Sequence, residues 1–323
     1  MKKIILILPY FGKFPNYFNL WLESIRRNPT IDLLLITDNK EIYNYDLPNN
    51  IKIELSTLSK LKKKIEKNLN KSIIMHEPYK ICDFRPAYGV IFSDKIKLYD
   101  FWGYLDADII LGDIRYFLTD EILSKYEKIF SRGHFTLFKN SEKMNSFFEI
   151  DHKYTDCFHF SDVIKYRSLC AYDEWGWNFG HGISEILKRE QFETFDKILF
   201  ADVSPESFYF KLVGREKEDI DFFKYVKGKI FGVSKNKVIS EYIYIHLQKR
   251  EMVKCEIGNL DEYYIYPNQF CDIKLNTNDY RNYENEFYKR LKRNKYKVKL
   301  TKINIDYLLL RMMMFKRKKG LTK

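Results

Sequence analysis

Cysteine is scarce and scattered in this sequence. Its five residues (Cys82, Cys157, Cys170, Cys255 and Cys271) form no CxxC pair and no Cys/His cluster. Neither a disulfide framework nor a zinc site is indicated, and a reducing cytoplasm is the compartment that fits. Long apolar runs are missing too: no segment approaches the roughly 20 residues that a membrane-spanning helix needs. The start, MKKIILILPYFG, joins a basic pair to a short apolar run, but no small-residue cleavage site follows. Ile4 to Leu8 therefore reads as a first buried strand. There is no internal repeat and no Pro/Ser-rich linker. The expectation is one compact body, residues 1–250, with a C-terminal extension, 251–323.

Acidic residues are almost absent from the tail. Positions 289–323 hold fourteen Lys/Arg against the single acid Asp306. Of 56 basic and 44 acidic residues overall, 42 and 43 remain for positions 1–288, so the body is neutral and the tail carries the whole excess of +12. That distribution argues against a nucleic-acid-binding main domain, and no nucleic-acid partner is expected.

What is present is the composition of a folded chain, 45% hydrophobic and 31% charged. Aromatics are abundant, with 25 Tyr and 26 Phe. They supply buried area and stacking platforms, or reflect a bias toward Ile, Lys, Asn and Tyr. Strand and helix signals alternate in the first third. KKIILILPYF reads as a strand ending at Pro9, and NYFNLWLESIRR as a helix with Phe18, Leu22 and Ile25 on one face. IDLLLITDN and IKIEL read as strands, LSKLKKKIEKNLN as a helix, and FWGYLDADII as a further strand. Such alternation predicts an open, largely parallel α/β sheet, whose ligands bind beyond the carboxyl ends of the strands. Later, KIFSRGHFTLFKN reads as a strand with a turn at Gly133, and VISEYIYIHLQKR as a strand reaching His246.

Asp106-Ala107-Asp108 follows an aromatic strand and precedes Ile109-Ile110-Leu111. Two carboxylates there repel each other and are costly to desolvate, unless a cation such as Mg²⁺ or Mn²⁺ sits between them. An exposed turn with two solvated Asp is the alternative. A phosphatase nucleophile is a poorer fit, since Ile110 stands where that class places Thr or Val. Asp173-Glu174 among aromatics offers a general base with Trp175 or Trp177 as a sugar platform. A helix cap with core tryptophans would look the same. His246 before Lys249 and Arg250 reads as a metal ligand beside phosphate-binding cations, or as a structural histidine. His134 after Arg132-Gly133 is equally open.

Together these stretches resemble a family of bacterial GT-A-fold glycosyltransferases of capsular and surface polysaccharide synthesis. The match rests on KICDFRPAYG at 80–89, FWGYLDADIILGDI at 101–114, RGHFTLFKN at 132–140, DEWG at 173–176 and IHLQKR at 245–250. The resemblance implies a GT-A fold, Rossmann-like, with a mixed, mostly parallel sheet. Residues 1–115 would form the nucleotide-binding half, 116–250 the acceptor and metal half. It implies a hexosyltransferase-type enzyme using Mn²⁺ or Mg²⁺ and a nucleotide-sugar donor, with a UDP-sugar as the leading candidate, and a glycan or lipid-linked acceptor. Pro9, Tyr10 and Asp38 would contact the nucleoside. Lys80, Asp83 and Arg85 would touch ribose or donor sugar, and Lys249 the diphosphate. Asp106, Asp108 and His246 would hold the metal, with Asp173 or Glu174 as base. A catalytically silent sugar- or nucleotide-binding protein of the same fold is the alternative.

The tail, 289–323, mixes Ile303, Ile305, Leu308 to Leu310, three Met and Phe315 with basic clusters. It reads as an interfacial helix holding the protein peripherally on the cytoplasmic face of an anionic membrane. A helix packed on the body or a partner subunit is the alternative.

Overall fold

The structure is a computed structural model describing residues 1–177, 179–234, 236, 238–253, 256–276, 281–301 and 305–321. Cys255 and Ile303 lie outside the described residues. The central sheet comprises β1 (Ile4–Pro9), β2 (Ile31–Thr37), β3 (Ile51–Leu55), β4 (Phe101–Leu105), β6 (Lys128–Arg132), β7 (Phe135–Lys139) and β10 (Thr194–Phe195). The order is β10-β6-β7-β4-β1-β2-β3, and only β7 runs against the rest. The fold is therefore α/β with a mixed, largely parallel sheet.

The apolar runs of β1 and β2 are continuous because both faces of this sheet are covered. Successive side chains point to opposite faces. Ile4, Leu6 and Leu8 enter one core with Leu33 and Leu35, while Ile5 and Ile7 enter the other with Leu34 and Ile36. The first face takes helix α1 (Phe18–Arg26) through Phe18, Leu22 and Ile25, the stripe expected from their spacing. The second takes helix α2 (Leu58–Leu69) through Leu61, Ile65 and Leu69. Thr57 caps α2 by accepting from the Lys60 N–H, and Asn70, left-handed at φ 50°, ends it.

A small sheet, β11-β16-β5, joins β5 (Ile109–Leu111), β11 (Ala201–Asp202) and β16 (Tyr244–His246). A third sheet contains β13 (Asp219–Val226), β14 (Lys229–Ser234), β15 (Ile239–Tyr242), β17 (Glu262–Tyr266) and β18 (Gln269–Cys271), with β12 (Phe210–Lys211) beside β13. A short hairpin of β8 (Gly176–Trp177) and β9 (Gly180–His181) precedes the helix Ile183–Arg189.

Three expectations change. KIFSRGHFTLFKN is a hairpin of two strands, β6 and β7, turning at Gly133. VISEYIYIHLQKR is split: β15 and β16 belong to different sheets, and Ile243 between them donates to the Leu199 carbonyl at 3.0 Å. The boundary at 250 does not divide the fold, because β17 pairs with β13 from Phe223 to Val226.

Candidate functional site

Chain order makes β1 the switch point of the central sheet, with β2 and β3 on one side and β4 on the other. At such a point the strand ends diverge and leave a crevice. Tyr10 follows β1, Asp38 follows β2, and Asp106 and Asp108 follow β4. The Tyr10 N–H still pairs with the Ile36 carbonyl at 2.8 Å, one step beyond the contact of Pro9 with Ile36. Asp38 accepts from the Gly12 N–H at 2.9 Å. Burial, then the charge of Asp108, raises the Tyr10 pKa.

The ligand atoms of Asp106, Asp108 and His246 all lie within 4.8 Å of one another. Two sheets bring them together. The Asp106 N–H bonds the His134 carbonyl at 3.0 Å beside β7, while β16 pairs with β5, placing His246 opposite Ile109. Past β16 the chain bends sharply: Gln248 and Lys249 are both left-handed, at φ 53° and 54°, a strained conformation for such residues. The bend turns the Lys249 N–H onto Asp108 Oδ2 at 2.6 Å and the Leu247 N–H onto the Asp108 carbonyl at 2.8 Å. The Lys249 ammonium then lies 4.0 Å from the centre of the Tyr79 ring. Burial lowers its pKa, but Tyr79, Asp108 and Asp106 outweigh that and leave it raised.

His246 is gripped on both nitrogens. Nδ1 meets Asp202 Oδ1 at 2.9 Å, and Nε2 faces Asp108 Oδ1 at 3.5 Å. Burial disfavours its charged form, yet these carboxylates prevail and raise its pKa to about 10. Burial likewise opposes the ionised forms of Asp108 and Asp202, but His246 together with Lys249 for Asp108, and with His134 and Gln248 for Asp202, outweighs it, so both pKa values are lowered. Behind them lies His134, its ring centre 4.3 Å from that of His246. Its Nδ1 meets the Tyr244 hydroxyl at 3.0 Å. Its buried Nε2 has no hydrogen-bond partner among the described residues and sits 3.8 Å from Asp202 Oδ2. Burial and charged His246 keep the His134 pKa well below the ordinary value. His134, Asp202 and His246 thus form a second, deeper group of possible ligands. Asp202 was missed from sequence: it sits in a two-residue strand, far along the chain from its partners.

Arg85 ties the crevice to its far wall. One terminal nitrogen meets Asp106 Oδ1 at 2.5 Å, and the other meets Asp173 Oδ2 at 3.0 Å and donates to the Gly133 carbonyl at 2.7 Å. Gly133 permits this approach, since a Cβ there would stand 3.0 Å from Asp173 Oδ2. Its N–H donates to Glu174 Oε2 at 3.2 Å. Burial raises the pKa of Asp173 well above the carboxylate range, with Arg85 opposing. Burial also raises that of Glu174, with the Gly133 N–H opposing and Asp106 adding to it. Asp173 is sealed at 3% exposure, so Glu174 is the more accessible carboxylate. Trp175 is half-buried and Trp177 exposed, so neither is a core tryptophan.

Lys80 and Asp83 correct the expectation of donor contact. Both are buried, at 2% and 0%, and pair at 2.7 Å. The Lys80 ammonium also donates to the Val163 and Ser168 carbonyls, and Asp83 accepts from the Cys170 and Tyr172 N–H groups. Their polar atoms are spent on holding the loop that delivers Asp173. Arg250 is also structural, donating to the Phe208, Ser207 and Pro267 carbonyls. Surface hollows of about 420 and 290 Å³ lie elsewhere, lined by such residues as Lys63 and Arg26. Converging ligand atoms and shifted ionisation, rather than cavity size, mark the site.

The chain belongs to a family of unknown function, DUF6625, whose model matches residues 6–274. No curated protein matches it.

Proposed function

We propose that this protein is a metal-dependent glycosyltransferase of the GT-A type, moving a sugar from a nucleoside-diphosphate donor to a glycan or lipid-linked acceptor. The observation that carries the reading is the convergence of Asp106, Asp108 and His246 at the sheet's switch point. Two carboxylates and one imidazole suit Mn²⁺, or Mg²⁺ with more water. A divalent cation held there would neutralise charge on a departing diphosphate. Asp202 orients His246 toward that position, and the strained bend at 248–249 fixes Asp108. Lys249 adds a cation beside the same carboxylates, where leaving-group charge would build. Tyr10 and Asp38, at the ends of β1 and β2, suit a nucleoside. Glu174 is the preferred base, since it is the more accessible of the two carboxylates and burial makes it more basic than a free carboxylate.

A thermal-shift panel of UDP, GDP, CDP and their sugar conjugates, with and without Mn²⁺, tests the reading. One nucleoside diphosphate should raise the melting temperature, and more so with Mn²⁺. Asp108→Asn should abolish the metal-dependent part. No shift with any nucleotide, or an undiminished shift in Asp108→Asn, overturns the assignment. Binding without donor hydrolysis or transfer would leave the silent binding protein instead.

A further inference from the structure

We propose that the C-terminal helix Ile305–Lys318 is a docking surface for an anionic lipid bilayer. The proposal goes beyond the catalytic reading and does not rest on it. The helix has two apolar faces. Leu310 and Met314 are fully buried, in the same core as Leu61 and Ile65 of α2. The Tyr166 hydroxyl meets the Met313 sulfur at 3.3 Å, and Arg317 pairs with Asp162 at 2.6 Å. These contacts fix the helix on the body and so fix which way its other face points. At 3.6 residues per turn, Ile305, Leu308, Leu309, Met312 and Phe315 share one stripe opposite Leu310 and Met314. All are exposed, by 45% to 76%. Packing on the body therefore accounts for one face and leaves a second apolar stripe outward.

Charge selects the occupant. Arg311, Lys316, Lys318 and Lys319 are exposed around or just beyond the stripe, and Asp306 is the only acid from 289 to 323. A second copy would bring the same positive cluster. A helix of 14 residues is about 21 Å long, which offers less than the roughly 800 Å² per partner of a stable dimer. An anionic bilayer complements the charge and needs no matching groove. The helix is too short to cross a bilayer, and no described helix is long and apolar enough to do so. It would lie in the headgroup plane.

Flotation of the full-length protein with phosphatidylcholine vesicles, with and without about one third phosphatidylglycerol, tests this. The protein should float with the anionic vesicles at low salt, stay behind with the neutral ones, and be released by high salt. Leu308→Glu with Met312→Glu should lower the bound fraction about tenfold at unchanged melting temperature. If that variant melts early, Lys316→Glu with Lys319→Glu, on exposed side chains, decides the case. Wild-type protein that ignores anionic vesicles overturns the proposal, as does undiminished flotation of a stably folded variant. A wild-type dimer that the apolar-face variant dissolves would make the stripe a self-interface, and also overturns it.

Discussion

Asp202 holds the Nδ1 side of His246, which leaves Nε2 facing Asp108. A carboxylate in that position typically sets ligand basicity and orientation, and its loss weakens metal binding about 10- to 100-fold. On the proposed metal reading, Asp202→Asn should therefore weaken Mn²⁺ binding by that factor in a titration followed by electron paramagnetic resonance, at near-native melting temperature. A second readout is independent of metal. In the apo protein the His246 pKa should fall from about 10, because Asp202, one of the three carboxylates that raise it beside Asp108 and Asp106, is gone. NMR titration of the ring checks this, and an unchanged pKa would sink the role given to Asp202. Lys128 supplies a different residue-scale test. It is fully buried, donates to Ser184 Oγ at 3.0 Å, and burial lowers its pKa to about 8. Unfolded, it titrates near 10.5. Between those values the folded state binds fewer protons, so stability rises with pH there, and below pH 8 the fold bears the full cost of a buried ammonium. Lys128→Met should stabilise the protein by about 3 kcal/mol at most at pH 7, and by less than about 1 kcal/mol at pH 10. Urea denaturation at both pH values checks the sign.

Among the elements, the segment Pro78–Ala87 has the clearest consequence. Its Lys80–Asp83 pair anchors the loop from Val163 to Tyr172, and its Arg85 bridges Asp106 and Asp173. Removing one member of a buried pair leaves an uncompensated charge. Asp83→Ala should cost about 3–5 kcal/mol, whereas Lys80→Met with Asp83→Leu should cost less. Chemical denaturation of the two variants gives the comparison, and equal losses would mean that the stranded charge is not the cause. This segment also shows what sequence conveys. KICDFRPAYG reveals that charges cluster, but not that Lys80 and Asp83 turn inward while Arg85 reaches the crevice. That division depends on Val163, Ser168 and Cys170, some eighty residues away. The core strands were legible because β1, β2 and β4 are short apolar runs buried on both faces, and D-x-D was legible because only Ala107 separates its two members. The break between β15 and β16 was hidden, since alternation continues through Ile243 while the chain changes sheet. His134 and Asp202 were not legible as a pair, because each stands alone in sequence: the small sheet sets Asp202 beside His246, while His134 reaches them from the turn between β6 and β7 of the central sheet.

At the scale of the whole molecule, the question is where the folded body ends. Sequence composition changes at the basic tail, yet the sheet does not respect position 250. β17 supplies Tyr263 and Ile265, and β18 supplies Phe270; all three are fully buried in the same core as Phe223 and Tyr225 of β13. A chain ending at 250 loses these side chains and leaves β13 with an exposed apolar edge, so it should be insoluble or fail to melt cooperatively. A chain ending at 276 keeps β17 and β18 and nearly coincides with the family match at 274. It gives up the tail and residues 277–288, whose Phe287 packs on Phe208 and whose Glu284 accepts from the Tyr209 hydroxyl. From the tail, Leu310 and Met314 are fully buried, each worth about 1.5–3 kcal/mol before the entropy of ordering the helix is subtracted. The net loss should be about 1–3 kcal/mol, a fall in melting temperature of several degrees. Residues 1–276 should therefore remain folded, retain any Mn²⁺ and nucleotide response, and lose vesicle flotation. Scanning calorimetry of the two truncations decides the boundary, and a cooperative, near-native transition for 1–250 would show that β17 and β18 are additions to the body rather than part of its core.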